Sequence, residues 1–160
     1  MKRIKTKILA LTLLTAGACS SAIAADTYSL AVSATVLGRC KFTQAAGTTL
    51  TLTNTVGGID PSLATSATGT ANITYKCTAG QAPAFTTDTG THVNAGNMRV
   101  ADGAGNFMTY TLSLTSGGNG TGFGAGQDKT LAVGGTITQP NFVAAPAGTY
   151  TDTVVVSVNP

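Results

Sequence analysis

Asp26-Thr27-Tyr28-Ser29-Leu30-Ala31-Val32-Ser33-Ala34-Thr35-Val36 is the stretch that decides how this chain is read. Tyr28, Leu30, Val32, Ala34 and Val36 fall on one face, and Thr27, Ser29, Ala31, Ser33 and Thr35 on the other. A period of two describes a strand with one buried face. No tight turn joins it to a second strand, so it is not half of a hairpin. A strand of this kind needs a partner sheet. If that sheet belongs to another molecule, the protein is the subunit of a polymer.

What precedes the stretch reads as a secretory signal over residues 1–25. Lys2, Arg3, Lys5 and Lys7 form a charged region, and residues 8–14 form an apolar one. Ala22-Ile23-Ala24 is an A-x-A cleavage site, and Ile23-Ala24-Ala25 serves equally well. The apolar run is too short to span a bilayer. Ala16-Gly17-Ala18-Cys19 lacks the aliphatic residue that a lipidation site carries three positions before its cysteine.

Cleavage removes four of the nine basic residues. Arg39, Lys41, Lys76, Arg99 and Lys129 then face six aspartates, which leaves a net charge of −1. No basic patch remains to hold phosphates, so nucleic acid is not an expected partner. About 135 residues suit one domain with one core. Thr, Val, Gly and Ala dominate the composition. Thr and Val favour strands, and Gly punctuates turns.

Cys40 and Cys77 remain after cleavage, in an oxidising compartment. One disulfide is the natural reading, against two free thiols or half a metal site. No C-x-x-C and no histidine cluster supports a metal, and no cofactor is implied.

Alternating runs separated by Gly, Asn and Asp predict strands near residues 36–43, 48–53, 71–77, 83–87, 97–100, 107–115, 130–138 and 148–158. The polar segment 60–70 connects strands within the loop that Cys40 and Cys77 would close. Short strands with frequent turn signals predict an antiparallel sandwich.

Candidate chemistry is thin. The glycine-rich run 116–126 fits neither G-x-G-x-x-G nor a P-loop and reads as a flexible hairpin loop. His92 reads as a solvated loop residue, with Asp88 near enough to orient it and no nucleophile beside it. The acids are scattered singly, without the carboxylate pair of glycoside chemistry. Asp152, on the inner face of the last predicted strand, is either a solvated strand-start acid or a buried carboxylate taking backbone donors. No catalytic constellation emerges, so neither an enzyme nor a small-molecule substrate is expected.

The ending Pro146-Ala147-Gly148-Thr149-Tyr150-Thr151-Asp152-Thr153-Val154-Val155-Val156-Ser157-Val158 resembles the P-x-G-x-Y-x-D-x-V-x-V-x-V close of the spore coat protein U domain family, which includes the subunits of archaic, Csu-type chaperone–usher pili. Ile73-Thr74-Tyr75-Lys76-Cys77-Thr78-Ala79-Gly80 resembles its second cysteine strand, and the strand ending in Cys40 its first. Asn97-Met98-Arg99 and Met108-Thr109-Tyr110-Thr111-Leu112 resemble its middle. The common final aromatic is missing, and Arg99 alone represents an arginine-rich part.

The resemblance implies an incomplete immunoglobulin-like sandwich lacking its last strand, over residues 37–160. Residues 26–36 would be a donor strand anchored by Tyr28, Leu30, Val32, Ala34 and Val36. Tyr150, Val154, Val156 and Val158 would edge the acceptor groove. Expected partners are other copies or related pilins, a periplasmic chaperone and an outer-membrane usher. The expected destination is a fimbria on the cell surface, serving adhesion and biofilm formation. A non-polymeric secreted or spore-coat-like surface protein, or a single-domain tip adhesin, is the alternative.

Overall fold

The computed structural model describes residues 25–160. Most of the expected signal segment lies outside the described residues. Residues 35–160 form one compact unit. Residues 25–39 are exposed throughout and belong to no strand.

Eight strands follow in chain order: β1 (Cys40–Phe42), β2 (Ala67–Cys77), β3 (Ala84–Thr87), β4 (Arg99–Ala101), β5 (Phe107–Thr109), β6 (Thr111–Thr115), β7 (Lys129–Ile137) and β8 (Val156–Asn159). The only helical element among the described residues is a 3-10 turn at Gln139–Asn141. One antiparallel sheet has the order β1-β2-β7-β6. The other layer pairs β3 with β8 and β4 with β5. A bridge between Ala101 and Thr151 ties β4 to the segment leading into β8.

Two patches of core lie between the layers. Tyr75, Cys77, Leu131 and Val133 pack with Phe42, Phe85 and Val156. Ala67, Met108, Tyr110, Ile137 and Phe142 pack with Leu52, Val100, Tyr150 and Val154. Leu112 touches both patches. The Tyr75 ring meets Phe85 edge-on at 4.9 Å, joining β2 to β3 across the sandwich. Cys40 and Cys77 stand directly opposite in the β1–β2 register and are disulfide-bonded.

Several strand expectations are corrected. Residues 48–53 form no strand. Thr53 alone bridges to Thr68, while Leu50 and Leu52 lie over Gly135. A side chain at Gly69 would collide with the Thr51 carbonyl, so glycine there lets this segment cross β2 closely. The polar connection expected over 60–70 ends early, because Gly69 and Thr70 lie inside β2, facing Gly135 and Gly134 of β7. Backbone pairing across the sheet overrides the local signal.

Residues 107–115 form two strands instead of one. β5 pairs with β4 in one layer, the chain breaks at Tyr110, and β6 pairs with β7 in the other. The last strand is also shorter than 148–158. The Asp88 carboxylate takes the Val155 amide at 2.9 Å, where a continued ladder would supply a carbonyl. Regular pairing is confined to 156–159.

The glycine-rich run 116–126 is anchored. Tyr75 Oη donates to the Gly118 carbonyl at 2.7 Å, and Lys76 Nζ to that of Gly124 at 2.8 Å. Gly120 exchanges backbone bonds with Gly80 and Gln81 and is buried against Cys77. A flexible-loop reading failed here because its partners are forty residues away in the sequence.

Candidate functional site

Residues 150–158 alternate as the sequence predicts. Tyr150, Asp152, Val154, Val156 and Val158 are half-buried, and Thr151, Thr153, Val155, Ser157 and Asn159 are exposed. Tyr150 and Val154 rest on one core patch and Val156 on the other, so the row runs along the sandwich interior. The Tyr150 hydroxyl donates to the Pro146 carbonyl at 3.0 Å.

Backbone direction in a strand has the same period as side-chain direction. The Asp88 amide donates to the Val155 carbonyl on the β3 flank. By antiparallel alternation, Val154, Val156 and Val158 turn their N–H and C=O groups to the opposite flank. Among the described residues, no strand pairs with β8 on that flank. The site is thus a strand edge with half-covered valines below it and free backbone groups beside it. Such an edge is a template for another strand.

One end of this edge is pinned. The Asp152 side chain is 3% exposed. Its Oδ2 accepts from Tyr110 Oη at 2.6 Å. Its Oδ1 accepts from the Thr91 amide at 2.9 Å and the Thr91 hydroxyl at 2.5 Å. His92 Nδ1 lies 3.1 Å from the same oxygen. Burial disfavours the charged carboxylate, but donation from Thr91, Tyr110 and the backbone outweighs it and lowers the Asp152 pKa to about 2. Burial, reinforced by the bond to Asp152, raises the Tyr110 phenol. Gly90 has φ of 74°, and a side chain there would collide with this carboxylate.

This cluster corrects two expectations. Asp152 is not a solvated acid, and His92, a loop residue with its side chain 37% exposed, is not oriented by Asp88. Asp88 instead accepts from Gly90 and Val155, while His92 pairs with Asp152 sixty residues away. The sequence carried one usable signal, a lone acid on an otherwise apolar inner row, which must find donors.

The N-terminal row has the same alternation and a different environment. Tyr28 is 91% exposed, Leu30 77%, Val32 85% and Val36 82%, and Ala34 is exposed as well. The expected strand is therefore not formed within the chain's own described structure. A strand requires backbone partners, and this segment has none among the described residues.

The order β1-β2-β7-β6, with β3 and β8 in the facing layer, matches strands A-B-E-D and C-F of an immunoglobulin-like sandwich. The position of strand G, beside β8, holds no strand among the described residues. Nor do the described residues contain a group of His, Cys, Asp or Glu arranged to hold a metal. The class is an incomplete immunoglobulin-like sandwich with one disulfide and an open edge beside β8.

The chain belongs to the Spore Coat Protein U domain family, whose model matches residues 26–157. No curated protein matches it. Among solved structures it is similar to a chain in the CsuC–CsuE chaperone–tip adhesion subunit pre-assembly complex from the archaic chaperone–usher Csu pili of Acinetobacter baumannii. The two are 17% identical with a TM-score of 0.44; the match covers 78% of this chain and spans 40% of that one.

Proposed function

We propose that this protein is a structural subunit of a surface fimbria. It polymerises by donor-strand complementation: the N-terminal row of one copy, residues 26–36, fills the open edge beside β8 of the next. The observation that carries this reading is a matched pair of deficits. Tyr28, Leu30 and Val32 alternate like a strand but are exposed, and the flank of β8 above Val154, Val156 and Val158 has no strand partner among the described residues.

Each deficit is what the other would satisfy. Backbone bonds along the edge would supply affinity, and alternate side chains seated over the valines would set register. Burying Tyr28, Leu30, Val32 and Val36 gives gross stabilisation of about 6–12 kcal/mol, at about 1.5–3 kcal/mol each. That equals the stability of a small domain, enough to hold a fibre without covalent links. An open apolar edge is an aggregation hazard before assembly. A periplasmic chaperone occupying the edge and an outer-membrane usher exchanging it for the next donor fit that need. Passage through the periplasm, a fimbria at the cell surface, and a role in adhesion and biofilm formation follow from the same reading.

The test is removal of residues 26–32. The full chain is expected to give SDS-resistant ladders in unheated samples. The truncated chain is expected to give none while still binding its chaperone. Polymerisation by the truncated chain would overturn the proposal.

A further inference from the structure

The first sheet has two edges, and they are guarded differently. At one edge β1 has only three residues, carries Lys41, follows Arg39, and is covalently fixed by Cys40. Short strands with charged side chains are the ordinary protection against edge-to-edge pairing. The other edge is β6, Thr111-Leu112-Ser113-Leu114-Thr115. Its outer flank has no strand partner among the described residues, and no backbone bond outside the β7 ladder reaches it. It contains no charge and no proline. Between Asp102 and Asp128 the chain has no charged side chain at all, so the flanking loops do not guard it either.

The sequence of β6 is a palindrome centred on Ser113. An antiparallel strand paired with its own copy about a two-fold axis sets residue i against its mirror position. Here that places Ser113 opposite Ser113 of the second copy, Thr111 opposite Thr115, and Leu112 opposite Leu114. Thr111, Ser113 and Thr115 are exposed and share one face, while Leu112 and Leu114 are half-buried on the other. Every cross-strand pair would then join like with like, hydroxyl with hydroxyl and leucine with leucine, which are favourable pairings. An isologous contact of this kind closes on itself.

The geometry points to the β6 edge as a two-fold contact between two copies of this chain, in which the two strands continue one sheet across both molecules, centred on Ser113. The contact uses a different edge from the head-to-tail joint at β8, but it rests on that proposed joint for its strength. In a fibre it would join neighbouring fibres side by side. A single contact of five residues is far smaller than the roughly 1,000 Å² of a stable interface. Repetition along two fibres supplies the missing strength.

Cysteine trapping in the full exported chain tests the register. Opposed residues in an antiparallel pair have Cα atoms about 4.5–5.5 Å apart, within disulfide reach. Ser113→Cys is therefore expected to form a disulfide-linked dimer under mild oxidation. Thr115→Cys faces Thr111 of the second copy. Two such cysteines would sit about 13 Å apart, four residues along the strand, and are expected to stay unlinked. The double variant Thr111→Cys with Thr115→Cys is expected to link again. Failure of Ser113→Cys to dimerise, or equal linking by Thr115→Cys alone, overturns the proposal. Oxidation accumulates even a weak contact, so ladders lost on removal of residues 26–32 with Ser113→Cys dimers retained at lower yield separates this contact from the donor-strand joint.

Discussion

Residues 26–36 and residues 150–158 carry the same alternation, apolar at every second position except for Asp152, and they end in opposite states. The C-terminal row lies half-buried over two core patches, with β3 beside it. The N-terminal row is exposed along its length. The pattern states that a face is to be buried; it does not say within which molecule. What separates the two rows is backbone partnership. One has β3 on its first flank, and the other has no strand on either among the described residues.

The same substitution in both rows gives the sharpest test of this contrast. Leu30→Asp is expected to abolish SDS-resistant ladders and to leave the thermal stability of the folded subunit unchanged, because Leu30 is exposed. Val156→Asp puts an unpaired charge against the Tyr75 and Leu131 patch and is expected to lower subunit stability before any effect on assembly is seen. Equal loss of subunit stability in both variants would break the comparison. Thermal unfolding of chaperone-released subunits, run beside unheated gels, reads both outcomes.

Next in size is the disulfide. Cys40 and Cys77 are 37 positions apart, and in the chain-entropy model their link is worth about 4 kcal/mol. Replacing both cysteines by alanine is expected to remove that much in denaturant unfolding. The loss should fall on the subunit as a whole, since β1 has only three residues to hold it against β2.

A smaller effect belongs to the pinned end of the edge. Asp152→Asn keeps the shape and removes the charge that Thr91 and Tyr110 satisfy. Hydrogen bonds to charged groups are worth about 1.5–3 kcal/mol each, so a loss of about 2–3 kcal/mol is expected. The sign of the pH dependence follows from the lowered pKa. A carboxylate held at about 2 when folded, against about 3.9 when unfolded, stabilises the fold fully above pH 4. That contribution is lost as pH falls from 4 through 2. Acid titration of the wild type should show this loss, and Asp152→Asn should flatten it. Gly90→Ala, at the same pinned end, is expected to cost a comparable amount, about 1–3 kcal/mol through its left-handed backbone alone. The collision with Asp152 puts it toward the upper end.

The all-β class, the inner row of the last strand and the two cysteines were legible in the sequence. Alternation, turn residues and the redox compartment are local or compositional signals. Three things were not legible. Gly69 looked like part of a connection and is strand, because its partner Gly135 lies across the sheet. The run 116–126 looked free and is tied to Tyr75 and Lys76. His92 looked set beside Asp88 and is paired with Asp152. In each case the deciding partner is remote in sequence, and no local pattern reports it.

By itself the sequence determined which residues alternate, which faces are apolar and that one segment near the N-terminus has no hairpin partner. Those are properties of side-chain order, set by the period of an extended chain. Only the tertiary structure decided which flank of β8 is left open, that β6 is an unguarded edge, and that Asp152 rather than Asp88 meets His92. Backbone hydrogen bonds and buried charges are satisfied in three dimensions, by groups that meet only once the layers have packed.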